Sequence, residues 1–377
     1  MIYFLVNNDY HLLDAERHAF ELVAQGKVVT LIRVPHALER PTDASLFQAE
    51  AVRTFDSPVK GRNWMHAWPR YWATALHVQR TVHPTRDDVL VLYTEFELVN
   101  HLLINRFKAI GARVLHLEDG GVGTYLPFSR HASEPLTRKE RLIALMTRAL
   151  PGLNDTRFHK MNGIVFPWRP DNCFDCLCVY RQVEISRAIP VRLIEGNLLQ
   201  PPKRLHAGRV LFLNERVYDY YQDAPHYFAG LELILDSLSI GYDEVFFKFH
   251  PRETGDWRAR ILTLLERKYP QIRVIAEQAP VEDLLNTYGP EALASYFATT
   301  LLNLEGTDIQ PLYLYHLLED MAQQPMLGQL THLLTQWRYR FVENWSNVRS
   351  GYRADMQLHA DQRAQPFTSI LTSPNAP

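Results

Sequence analysis

The chain has 377 residues, of which 46% are hydrophobic and 22% charged, with a formal net charge of −2. This balance excludes a disordered chain and a general polyanion binder, so nucleic acid is not an expected partner. The length suits roughly two domains, each large enough to bury its own core.

Residues 2–6 (Ile-Tyr-Phe-Leu-Val) are the first expected strand. The apolar stretch is short and lacks a basic start, which argues against a secretory signal. No later run approaches the roughly 20 apolar residues of a spanning helix, so a cytoplasmic protein is expected. Leu12, Ala15, Ala19, Leu22 and Val23 then recur at helical spacing before a strand over 28–34. The same grammar returns in a strand over 88–93, a helix faced by Val99, Leu102, Leu103, Phe107 and Ile110, a stop at Gly111 and a strand over 113–117. Such alternation predicts a parallel sheet with helices on both faces.

Glu118 and Asp119 close that strand and precede Gly120, Gly121 and Gly123, a segment able to bend sharply and bring backbone near a ligand. The glycines miss the dinucleotide-binding spacing. An acidic pair before glycine is by itself ordinary turn chemistry; in a cleft, two adjacent acids raise one another's pKa toward the range of a useful base. Asn7, Asn8 and residues 93–95 follow strands on the same side and are candidates for lining an acceptor entrance.

Residues 138–148 are basic and amphipathic. They fit a helix covering the first sheet, or a surface for an anionic glycan or for peripheral association with an inner membrane. Cys173, Cys176 and Cys178 are the only cysteines. A fourth thiolate for zinc is missing, and period two puts Cys176 and Cys178 on one strand face, so buried structural thiols in a reducing compartment are expected. Residues 187–208, with Pro190, Pro201 and Pro202, read as an interdomain linker between a first domain over 1–186 and a second over 209–329.

The second half repeats the pattern, with strands over 209–213, 244–249, 272–276 and 292–297 and helices faced by Leu231, Ile234, Leu235 and Leu238 and by Trp257, Ile261, Leu264 and Leu265. His250 ends one strand between Lys248 and the pair Pro251-Arg252, a cationic group suited to a phosphate leaving group. Glu282 opens a helix, the usual place for a first-turn acid. Thr299 and Thr300 run from a strand into an apolar segment as an N-cap, where hydroxyls and backbone N–H groups either cap the helix or hold an anion. Residues 330–364 are expected as a helical segment packing back on a domain, and 365–377 as a flexible tail.

In order and spacing, Glu118-Asp119-Gly120, His250-Pro251 and Thr299-Thr300 resemble the motifs of the bacterial sialyltransferases, above all the polysialyltransferase and lipooligosaccharide sialyltransferase group, over residues 88–305. The resemblance implies an α/β GT-B fold of two Rossmann-like domains facing across a cleft. It also implies an inverting transferase that moves sialic acid from CMP-sialic acid to a glycan hydroxyl for capsule or lipooligosaccharide, with no cofactor and no metal. By position, Glu118 resembles the general base and Asp119 its partner, and Gly120 lies at the substrate. His250, with Lys248, Pro251 and Arg252 around it, matches the group that stabilises the departing CMP phosphate. Thr299 and Thr300 match a phosphate-binding hydroxyl pair that is commonly serine-containing, and Glu282 a ribose contact. Three other readings remain: transfer from another CMP-sugar such as CMP-Kdo, a teichoic-acid-type glycerophosphotransferase, and a catalytically silent nucleotide- or glycan-binding scaffold.

Overall fold

The computed structural model describes residues 1–38, 40–47, 52–54, 64–95, 97–119, 135–161, 164–168, 173–180, 189–195, 204–218, 221, 223–250, 253, 255–276, 279–304, 307–336, 339, 341–342, 344–348 and 364–372. They fall into two compact units, one gathering the described residues within 1–119, 135–195 and 364–372, the other those within 204–348.

In the first unit the strands are Ile2–Asn8 (β1), Val29–Ala37 (β2), Arg53–Thr54 (β3), Val89–Leu92 (β4), Arg113–Leu117 (β5), Arg157–Met161 (β6), Ile164–Trp168 (β7), Cys176–Val179 (β8) and Val191–Leu193 (β9). Seven of them form one parallel sheet in the order β3-β2-β1-β4-β5-β8-β9, and β6 and β7 make a separate antiparallel hairpin. The neighbouring inner strands β1 and β4 are nearly continuous apolar runs because both faces are covered: Phe4, Leu5, Val6, Leu90 and Val91 are all 0% exposed. The helices Asp9–Ala24 (α1), Leu98–Ala109 (α3) and Arg138–Arg148 (α4) follow at the expected places, and Trp64–Thr81 (α2) is a helix that the periodicity reading did not include. Gly111 ends the α3 turn at φ +76°, a left-handed conformation that favours glycine. Cys176 and Cys178 share one strand face, their Sγ atoms 3.6 Å apart.

Two expectations about boundaries need correction. The span 187–208 is not linker throughout: β9 joins the first sheet through β8, and the second sheet begins at His206. Three residues behind Pro190 are too few to show a period. Nor is 365–377 all tail. Gln365 bridges to Ile194, and Phe367–Thr372 forms a helix whose Phe367, Ile370 and Leu371 enter the core of the first unit. The spacing of those three residues is helical, though polar neighbours obscure it. Arg113 on β5 holds the helix by donating to the carbonyls of Ile370 and Leu371.

The second unit runs His206–Leu213 (β10), Ala224–Gly241 (α5), Glu244–Lys248 (β11), Asp256–Lys268 (α6), Arg273–Val274 (β12), Val281–Tyr288 (α7), Pro290–Ser295 (β13) and Gln310–Tyr313 (β14). Its parallel sheet has the order β12-β11-β10-β13-β14, with Val210, Leu211, Phe212 and Phe247 on the strands and Ile234, Leu235 and Ile261 on the helices all 0% exposed. The expected strand over 272–276 shrinks to two residues. Of the helical segment expected over 330–364, the described residues show the helix Pro325–Gln336, which starts earlier, and a 3-10 turn at Trp345–Asn347, and the aromatic Tyr339 packs edge-on against Tyr313 as core. No helix among the described residues is long and apolar enough to cross a membrane.

Candidate functional site

In each unit the chemistry-bearing residues gather at the carboxyl ends of the parallel strands, where open α/β sheets place their ligands. In the first unit β5 stops at Leu117, and the next two carboxylates part. Glu118 is 0% exposed; its N–H donates to the Cys178 carbonyl at 2.9 Å and its Oε2 accepts the Tyr180 N–H at 2.8 Å. It ties the ends of β5 and β8 together. Asp119 keeps 28% of its side chain exposed, and its Oδ1 lies 2.7 Å from Nε2 of His11, which is 1% exposed.

His11 owes its position to the start of α1. The Asn8 side chain accepts the His11 N–H at 2.8 Å, a cap that begins the helix at the edge of the sheet. Asn7 N–H points at His11 Nδ1 from 3.3 Å, and Nε2 faces both Asp119 Oδ1 at 2.7 Å and the Asn8 side-chain nitrogen at 3.2 Å. Tyr93, at the end of β4, stacks on the imidazole with ring centres 4.6 Å apart. Asn7, Asn8 and Tyr93 thus support the pair, a contact distinct from the lining of an acceptor entrance expected of them.

Behind this pair lies a buried chain. His18 Nε2 is 2.8 Å from the Tyr180 hydroxyl, which donates to Asp14 Oδ1 at 2.5 Å, and the backbone of the same Tyr180 holds Glu118. Burial pushes the His18 pKa down, against the pull of Asp14, and pushes the Tyr180 hydroxyl well up, so both are neutral near pH 7.

In the second unit Lys248 is the last residue of β11 and is 5% exposed, with His250 partly exposed two residues on. Glu282 stands on the first turn of α7, which leads into β13 and so starts at the same edge of the sheet. Thr299 and Thr300 begin a six-residue 3-10 turn after β13, where an α-helix was expected. The five share one sheet edge. Gly120, Pro251 and Arg252 lie outside the described residues.

Two carboxyls at this edge escaped sequence reading. Asn214, directly after β10, donates to Glu253 Oε2 at 2.6 Å, and the Glu253 N–H closes a turn on the His250 carbonyl at 2.9 Å. Glu253 Oε1 is buried without a hydrogen-bond partner. Burial pushes the Glu253 carboxyl up to about 7 despite the bond from Asn214. Glu215 is partly exposed as a residue, but its Oε2 turns inward, 2.9 Å from Ser295 Oγ and 2.8 Å from the Phe297 N–H. Burial raises it too, to about 7. The one available signal was Asn214-Glu215 immediately after the apolar run 209–213.

A carboxyl raised in the folded state favours folding least at high pH. Neither state is charged below the ordinary Glu value; as pH rises toward 7 the unfolded chain ionises first and gains. Glu253→Gln keeps the acceptor for Asn214 and removes this cost. It is expected to stabilise the second unit by about 1–3 kcal/mol at pH 8 and by nothing near pH 4.5. Urea unfolding at both pH values measures it, and an equal effect at both would contradict a buried neutral acid.

Among the described residues no three of His, Cys, Asp and Glu gather as a metal set. No family model matches the chain. No curated protein matches it in sequence. Among solved structures it is similar to a Listeria monocytogenes protein described as a UDP-N-acetylglucosamine 2-epimerase, at 10% identity and a TM-score of 0.51, over 92% of this chain and 85% of that one. Staphylococcus aureus MnaA with UDP follows at 10% identity and 0.48, over 83% and 79%, and Acinetobacter baumannii MurG at 10% and 0.45, over 98% and 97%. The Listeria structure carries the fold assignment: the chain has the GT-B α/β fold, with two parallel-sheet units.

Proposed function

We propose that this protein is a glycosyltransferase using a nucleotide-activated sugar, and that the donor is CMP-sialic acid or a related CMP-nonulosonic acid transferred with inversion to a glycan hydroxyl. The observation that carries the reading is the Asp119–His11 pair at the carboxyl edge of the first sheet. A partly exposed carboxylate backed by a buried imidazole can take the proton of an acceptor hydroxyl as the new bond forms. Glu118, fully covered and bonded to Tyr180, better suits holding that edge in place than meeting substrate. This exchanges the roles that the resemblance implied for the two acids.

On the second sheet His250, Thr299 and Thr300 suit the departing CMP phosphate, and Glu282 a ribose hydroxyl. CMP leaves as a monoester, with less charge than a nucleoside diphosphate, so hydrogen-bond donors and an imidazole can stabilise it without a divalent ion. Lys248 contributes to that edge from a buried position.

The test is nucleotide release from CMP-sialic acid, CMP-Kdo, CDP-glycerol and UDP-N-acetylglucosamine, with a glycan acceptor and with or without chelator. Release from CMP-sialic acid, unchanged by chelator and lowered about a hundredfold or more in His250→Ala, is expected. Turnover of UDP-N-acetylglucosamine or CDP-glycerol alone would overturn the donor assignment. CMP binding without release would favour a silent scaffold.

A further inference from the structure

Helix α4 turns its apolar residues the wrong way for a helix that only covers a sheet. Its buried positions are Ala144 and Thr147, small or polar, whereas Leu142, Leu145 and Met146 are 57%, 64% and 40% exposed. At roughly 3.6 residues per turn, Leu145, Leu142 and Met146 make one outward stripe. Arg138 falls within the stripe, Lys139 on one margin, and Arg141 and Arg148 on the other, and all four are exposed.

The only acid on the helix is turned to other work. Glu140 closes the capping box with Thr137 and pairs with Lys160 at 3.1 Å, on the hairpin side. The outward face is therefore apolar in the middle and cationic at its margins, on a chain whose net charge is −2. The positive charge is local, and the capping box fixes the helix before any partner arrives.

We propose that the outward face of α4 docks on an anionic lipid surface, with Leu142, Leu145 and Met146 entering the acyl boundary and the flanking cations meeting lipid phosphates. Long Arg and Lys side chains beside an apolar stripe reach headgroups while their stems stay in the interface. The charge complementarity singles out an anionic bilayer: a water-soluble acidic partner would leave the three apolar side chains in water. Docking of this kind is independent of which donor sugar is used.

Co-sedimentation of the full chain with vesicles tests it. The parent is expected to bind phosphatidylglycerol–phosphatidylcholine vesicles, to bind pure phosphatidylcholine about tenfold less, and to be released by about 0.5 M salt. Leu142→Glu/Leu145→Glu and Arg138→Glu/Lys139→Glu should each lower the bound fraction about tenfold or more at unchanged circular dichroism and melting temperature, because all four positions are exposed. Equal binding of the leucine double variant and the parent would overturn the proposal. So would failure of the parent to bind anionic vesicles, or sedimentation-equilibrium dimerisation abolished by the leucine variant, which would make the face a contact between copies of the chain.

Discussion

Asp119→Asn is expected to lower turnover about a thousandfold while leaving donor affinity and melting temperature near those of the parent. The substituted amide still presents an oxygen to His11 Nε2, so the pair survives as a hydrogen bond and only the ability to hold a proton is lost. Glu118→Ala should behave in the opposite sense. It strips the Tyr180 N–H of its acceptor in a fully covered place, at a cost of about 1–3 kcal/mol to folding. Steady-state rates and thermal melts on the two variants separate the roles. Parent-like turnover in Asp119→Asn would return the base to Glu118 or elsewhere.

Phe367→Ala is expected to destabilise the first unit by about 3–5 kcal/mol. The side chain is 1% exposed, with its ring 4.5 Å from that of His18 and 6.5 Å from that of Phe4 on β1, so its removal leaves a cavity beside that inner strand. For a unit of this size the melting temperature should fall by roughly 6–20 °C. Differential scanning calorimetry checks it, and a loss under about 1 kcal/mol would mean that the helix Phe367–Thr372 contributes little to the core.

The main strands could be read from the sequence because a parallel sheet covered on both faces demands nearly continuous apolar runs, and residues 2–6, 88–93, 113–117, 209–213 and 244–249 supply them with few polar interruptions. Strand β9 and the helix Phe367–Thr372 could not: the strand is too short to display a period, and the helix's apolar residues lie among hydroxyl residues that obscure their spacing. At the site, the strand-end places of Glu118, Asp119 and His250 were legible, since each follows such a run. His11 was not: it is a polar residue in the first turn of α1, where helical reading counts only the apolar face. Glu253 and Glu215 act through Asn214 and Ser295, 39 and 80 residues away, and partners at that separation leave no local trace in one sequence.

The helix Phe367–Thr372 also dictates an order of events during synthesis. Residues within 204–348 form their sheet from one continuous stretch, whereas the first unit lacks Phe367, Ile370 and Leu371 until everything before them has been translated. Domains ordinarily fold on the ribosome in the order in which they are made. Here the unit that begins first is finished last, so its central strands wait with an incomplete core while the later unit closes, and that interval is when the nascent chain most needs protection from aggregation.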